Sequence, residues 1–467
     1  MPQTPAPANS AAITHPKALI KFGGNGPLFR TGAKSKAAAI ATEKNSVAAL
    51  PAKATTALAR IAIHFRITAV QCNAVGRTVV FCRLPSPRSG ATSRDNRIVF
   101  LEILGAASVA VWLYLLLARG GFWRLRDAPP EGEMPASPPS IVAVVPARNE
   151  AEVVGRAIAS LAAQRYPGAF HIVLVDDASS DATAEAARAA APPDILTVIR
   201  SAPLPGGWTG KLWAVSQGVR EAARLRPDYL LLTDADIVHP PANAATLAAR
   251  AESGGYALVS YMATLECRSL AERALVPAFV FFFFMLYPPA WIADPRRAAA
   301  GAAGGCMLIR RQTLERIGAI ESIRRELIDD CALARAVKRG GGRVWVGLSA
   351  ATRSIRRYQT FAEIFRTISR TAFTQLQHSY AVLAGTVAAL AIAYLIPPCT
   401  ALGPFGALAW LLMSLCYFPA LRFYRRSPLW APLLPLVAAF YMAATVYSAI
   451  AYRRGAGGMW KGRAQDR

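Results

Sequence analysis

Residues 98–118 read IVFLEILGAASVAVWLYLLLA, an apolar run whose one charge, Glu102, stands near its start. As a helix it is about 31 Å long, enough to cross the hydrocarbon core of a bilayer. A buried core helix is the other reading. Arg119, Arg124 and Arg126 follow at once, which places the next segment in the cytoplasm by the positive-inside rule. The final third of the chain returns to this composition, with candidate spans at residues 379–396, 399–420 and 429–451. Two basic clusters there conflict. Arg422, Arg425 and Arg426 precede the last span, while Arg453, Arg454, Lys461 and Arg463 follow it, and both favour the same side. One crossing does not satisfy both, so a re-entrant or Pro-kinked hairpin at Pro432 and Pro435 is expected.

The chain's 467 residues exceed one compact soluble domain, and a mean hydropathy of +0.28 suits a protein with membrane spans. Net charge is +25, and residues 1–96 hold 13 Lys/Arg against 2 Asp/Glu. Those residues are rich in Ala, Ser, Thr, Pro and Lys without periodicity, and read as a disordered or mis-annotated N-terminal extension. No apolar stretch follows promptly on a basic start, so a cleaved signal peptide is not expected. Because Arg clusters sit beside apolar spans, an anionic membrane face is a better partner for this charge than nucleic acid. The seven cysteines are scattered and form no CxxC pair, which argues against a disulfide framework or a zinc site.

Between the spans lies a soluble block. Strand-like runs, IVAVVP, HIVLVDD and YLLLTDAD, alternate with Ala-rich helical patterns. Continuous apolar strands separated by helices predict parallel βαβ units covered on both faces, an α/β, Rossmann-like domain. Ligands of such sheets gather at the carboxyl ends of the strands. The expected order is extension 1–96, transmembrane helix 97–119, α/β domain 140–358, amphipathic interface helix 359–378, transmembrane helices 379–452 and basic tail 453–467.

The strand ends carry the chemistry. VVPARNE supplies Pro146, Arg148, Asn149 and Glu150; VLVDDASSD supplies Asp176 and Asp177. A tip carboxylate accepts hydrogen bonds from a nucleoside, although helix caps produce the same letters. TDAD sets Asp234 and Asp236 side by side, and unpaired they raise each other's pKa. A hard cation such as Mg²⁺ or Mn²⁺, shared with substrate phosphates, removes that penalty; a solvated turn before Pro240 is the alternative. GGWTGKLWA offers Lys211 on a Gly-rich turn, placed to meet phosphate or to lie in a surface loop. IDDCALARAVKRGG opens a helix with Asp329 and Asp330, either caps or a general base. Gly304 and Gly305 in GAAGGCMLIRR permit close backbone approach to a ligand. PAFVFFFFMLYPPAWI, residues 277–292, is too short and Pro-broken to span comfortably, and reads as a membrane dip or a buried helix.

Taken in order, VAVVPARNE, VLVDDASSD, GKLWAVSQG, TDAD, GGCMLIRR and IDDCALARAVKRGG resemble family 2 glycosyltransferases of the GT-A fold. The flanking spans and LPGGWTGKLWA look like the hopene-associated glycosyltransferases of bacterial hopanoid clusters. The resemblance implies a nucleotide-sugar donor bound by Pro146, Arg148, Asn149, Glu150, Asp176, Asp177, Lys211 and Asp234. It implies a divalent metal, Mg²⁺ or Mn²⁺, on Asp234 and Asp236, and Asp330 as the base of inverting transfer to a lipid acceptor. Gly304, Gly305, Asp329 and Arg370 would lie on the acceptor or phosphate side. It also implies a multi-pass protein of the bacterial cytoplasmic membrane whose catalytic domain faces the cytoplasm. Processive synthases of this family carry QxxRW after the base. Here FRTISRTAFTQLQ has Arg370 for the Arg, but Thr367 and Thr371 stand at the Gln and Trp positions. Addition of one or few sugars is therefore expected; a polysaccharide synthase and a non-catalytic nucleotide-sugar-binding membrane scaffold are the alternatives. The same stretch also reads as a basic amphipathic helix at a membrane surface.

Overall fold

The computed structural model describes residues 93–455 and the short strands Met459–Trp460 and Arg463–Ala464. The expectations for residues 1–92 and for most of the tail beyond 455 lie outside the described residues. Eight strands form one sheet: β1 (Ile141–Ala147), β2 (Phe170–Asp176), β3 (Leu196–Arg200), β4 (Tyr229–Thr233), β5 (Ile237–Val238), β6 (Leu258–Thr264), β7 (Cys306–Arg310) and β8 (Val344–Ser354). Their spatial order is β3-β2-β1-β4-β7-β6-β8-β5. The apolar runs bury both faces, as continuous rather than alternating hydrophobicity requires. Val142 and Val144 of β1 point to one layer, where helix Gly210–Ala222 packs; Ile141, Ala143 and Val145 point to the other, with helices Ala151–Ala162 and Asn243–Gly254. Gly218 presses the first of these helices onto the sheet. A Cβ there would stand 2.5 Å from Val144 Cγ1 and 2.9 Å from Val175 Cγ2.

The parallel expectation holds for β1 with β2, β2 with β3 and β1 with β4. It fails at β7, which lies antiparallel to both β4 and β6. The reason is the route of the chain. After β6 it enters the apolar helix Leu270–Leu286 at the carboxyl edge of the sheet, and the loop at 294–305 returns to that edge, so the next strand runs back. No helix crosses a sheet face between them, and the parallel rule does not apply.

Among the described residues five helices are long and apolar enough to cross a membrane: Asn96–Leu117, Leu270–Ala293, Tyr380–Cys399, Pro404–Phe423 and Pro428–Arg453. The second corresponds to the Pro-broken segment at 277–292. It begins earlier than the apolar letters, at Leu270, because Ser269 and Glu272 close a capping box, and Pro277 is accommodated inside the helix. Half of its apolar window is buried within the protein. Both flanking strands belong to one sheet, so this helix does not separate them by a membrane thickness.

The hairpin expected for the last segment is not found. Leu434–Arg453 is one helix after the short turn Pro428–Leu433, with Pro435 in its first turn, where a missing N–H removes no helical bond. The amphipathic helix is present at Phe361–Gln375 and runs alongside the last helix in the same direction. Phe361 and Phe365 meet Phe440, Phe365 meets Tyr447, and Phe373 meets Tyr452. The Phe373 amide donates to Ser448 Oγ at 3.1 Å.

Candidate active site

β1, β2, β4, β6 and β8 all end at the edge where the apolar helices gather. Asp234 follows β4. The Thr233 hydroxyl donates to the Gly305 carbonyl at 2.7 Å and accepts from His239 Nε2 at 3.0 Å. His239 Nδ1 accepts from Asn243 at 2.9 Å, which fixes the proton on Nε2. Burial pushes the His239 pKa down to about 3, so the ring is a neutral brace.

Lys211 is the hub. Thr209 caps its helix and delivers the ammonium between Asp234 Oδ1, at 2.9 Å, and Asp329 Oδ2, at 3.1 Å. Burial disfavours that charge, but Asp234 and Asp329 outweigh it and hold the lysine protonated well above its ordinary range. Asp330 adjoins this pair. Its Oδ2 accepts from the Gly304 amide at 2.9 Å and its Oδ1 from the Cys331 amide at 2.7 Å. Burial first, then the charge of Asp329, raises its pKa to about 6. The approach is close at Gly304, where a Cβ would stand 3.3 Å from Asp330 Oδ2 and 3.5 Å from Lys211 Nζ. Pro146, Lys211, Thr233, Asp234, Gly304 and Asp329 line one pocket.

Asp236 has a different cation. The two-residue strand β5 pairs with the end of β8, Ile237 opposite Ser354, and brings the Ser354 hydroxyl to Asp236 Oδ2 at 2.7 Å. Arg356 reaches the same oxygen through Nε at 3.4 Å and Glu150 Oε1 through Nη2 at 2.5 Å. Both carboxylates of TDAD are therefore neutralised by basic side chains of the chain itself. Burial raises the Asp234 carboxyl, as does Asp236, against the pull of Lys211.

The nucleoside-side candidates form their own group. Asp177 is 2 % exposed and pairs with Arg148, whose Nη1 also donates to the Asp177 carbonyl at 2.5 Å. Asp176 Oδ1 accepts from the Ser179 amide at 3.1 Å. Asn149, with φ at +51°, accepts from the Ser180 amide at 2.9 Å, and the Glu150 amide donates to Thr183. These bonds stitch the ends of β1 and β2 together. Arg370 is exposed on its helix. Arg356, Ser354, Tyr287 and Gln375 were not singled out from the sequence. The Arg pair in SIRRYQT is the visible signal for the first; the other three depend on chain crossings.

Residues 138–374 match the model of glycosyltransferase like family 2, just over half of the chain. The chain belongs to this family. No curated protein matches it. A mannosyltransferase from Pyrobaculum calidifontis, determined with GDP-mannose and Mn²⁺, is similar to this family 2 chain at 21% identity and a TM-score of 0.48. That likeness covers 74% of this chain and 98% of the other. Mannosyl-3-phosphoglycerate synthase from Rubrobacter xylanophilus is similar at 20% identity, covering 51% and 74%, with a TM-score of 0.33. Glucosyl-3-phosphoglycerate synthase from Mycobacterium tuberculosis, with Mn²⁺ and UDP-glucose, is similar at 17% identity, covering 50% and 78%, with a TM-score of 0.32.

A divalent ion was expected on Asp234 and Asp236, and the donor atoms there are hard carboxylate oxygens. Among the described residues no three His, Cys, Asp or Glu side chains converge as a metal cage. Two carboxylates fit an ion that takes its remaining ligands from substrate phosphates and water.

Proposed function

We propose that this family 2 glycosyltransferase has a GT-A type domain and transfers a sugar from a nucleotide-diphosphate-sugar to a lipid hydroxyl, with inversion at the anomeric carbon. The observation that carries the reading is the convergence of Lys211, Asp234, Asp329 and Asp330 at one strand edge, beside the apolar helices. Asp234 and Asp236 are the residues for the divalent ion, and Asp176 and Asp177 mark the nucleoside side. When bound, the ion supplies Lewis-acid stabilisation of the leaving diphosphate. Lys211 and Arg356, paired with the two carboxylates in the free chain, are positioned to turn their charge to the phosphates. Asp330 takes the proton of the acceptor hydroxyl; two amide donors hold its carboxylate in place while burial keeps it basic.

The flanking apolar helices support a membrane lipid as acceptor, and the resemblance of the flanking architecture points to a hopanoid. Arg119, Arg124 and Arg126 after the first span support an orientation with the catalytic domain in the cytoplasm, and with it a location in the cytoplasmic membrane. Thr367 and Thr371 in the positions of the processive signature favour one or few sugars over a polymer. The test is transfer of labelled sugar to lipid in membranes containing the protein. Asp236→Ala and Asp330→Asn are expected to lower transfer at least a thousandfold; wild-type rates in either variant refute the assignment.

A further inference from the structure

We propose that Tyr287 is the acceptor-positioning residue: its hydroxyl, oriented by Gln375, holds an oxygen of the acceptor's head group beside Asp330. The inference rests on Asp330 being the base. Tyr287 stands immediately after helix Leu270–Leu286, where that apolar helix meets the carboxyl edge of the sheet. Its ring lies on Gly301; a Cβ there would come within 2.8 Å of Tyr287 Cδ1 and 2.9 Å of Cγ, so only glycine permits the contact. The same short loop then touches the base. The Cys331 thiol faces the Ala302 carbonyl at 3.8 Å, and the Gly304 amide donates to Asp330. Three residues of backbone, at most about 10 Å, separate the tyrosine's contact from the carboxylate's.

The hydrogen bonds around Tyr287 leave it a donor to give. Gln375 Nε2 donates to the phenolic oxygen at 2.6 Å, so the phenol's own proton points away from Gln375. The Cys331 thiol is a neighbour of both the Tyr287 hydroxyl and Asp330. Sulfur is a weak acceptor. A strong, half-buried donor facing a weak acceptor gains most when a better oxygen arrives. Phe279 and Leu286 of the same helix are 39% and 49% exposed, an apolar surface leading to this point. An amphiphile fits: its tail along the apolar helix, one hydroxyl at Asp330 and that or a neighbouring oxygen at Tyr287. Asp330 takes the proton; Tyr287 only fixes where the oxygen sits.

Purified full-length protein, reconstituted with total lipid of the producing cells, is given tritiated UDP-glucose or GDP-mannose, and label is followed into lipid and into free sugar. Tyr287→Phe keeps the ring on Gly301 and removes only the hydroxyl. It is expected to lower lipid-linked product at least tenfold while free-sugar release and the donor KM stay within threefold of wild type. Gln375→Leu is expected to shift the same ratio in the same direction. If Tyr287 only bolts two helices together, both products fall in parallel with the thermal midpoint, and the proposal is overturned; an unchanged ratio overturns it as well. Absence of any labelled product from wild type with either donor sinks the glycosyl-transfer reading itself, and this role with it.

Discussion

Two carboxylates at Asp234 and Asp236 would repel each other in a bare cleft, and each has been given a tethered cation instead. Lys211 serves the first and Arg356 the second. The arrangement keeps the acidic groups assembled in the free chain while leaving both cations able to exchange partners. Lys211→Met should therefore weaken nucleoside-diphosphate binding by tenfold or more in calorimetry run across the common bases. Equal affinity would mean that the ammonium serves the carboxylates alone. Asp330 makes a pH prediction. Its pKa is raised to about 6, so as the proposed base it is proton-bound below that value and active above it. Transfer should rise about tenfold per pH unit on the acid limb and level off near pH 6 or below, since a bound cation nearby pulls the limb downward. A limb above pH 7 would remove Asp330 from the role.

Elements in this protein end where a backbone group finds an unusual partner. Pro397 and Pro398 lack amide protons, so the turn before them, Ala391–Leu395, opens into a π-helix and its carbonyls lose their usual donors. The first apolar helix, Ser93–Leu117, satisfies two of them: Trp112 Nε1 donates to Ala393 O at 2.7 Å and Ser108 Oγ to Ile392 O at 2.5 Å. Trp112→Phe preserves much of the packing but orphans one buried carbonyl, a cost of about 1–3 kcal/mol. The expected result is a lower thermal midpoint in detergent with unchanged transfer per folded molecule; an unchanged midpoint would refute the account.

For the whole molecule, the site faces the apolar helices because every strand that carries a site residue ends at the edge they occupy. The last helix follows from that geometry. It accompanies helix Phe361–Gln375 from Phe440 to Tyr452, and that helix exposes Arg366 and Arg370. Exposed arginines are costly inside hydrocarbon, so the pair is expected to lie along the membrane surface. Both basic clusters, Arg422 to Arg426 and Arg453 to Arg454, would then share one side, the cytoplasmic one in the proposed topology. With Cys399 replaced, Ser427→Cys and Gly455→Cys should both react with an impermeant maleimide from the cytoplasmic face only. Labelling of Gly455→Cys from outside would show that the last helix crosses.

Composition and periodicity determined the alternation of strands and helices, the first apolar helix and the identity of TDAD and IDD as strand-end and helix-start acids. Those signals are local: a run of apolar letters, a cap, a glycine. The antiparallel β7, the unbroken last helix and the partners of the acids were decided only by the tertiary structure. Lys211 reaches Asp329 across 118 positions and Arg356 reaches Glu150 across 206. Such contacts depend on which strand ends share an edge, and no local periodicity encodes that.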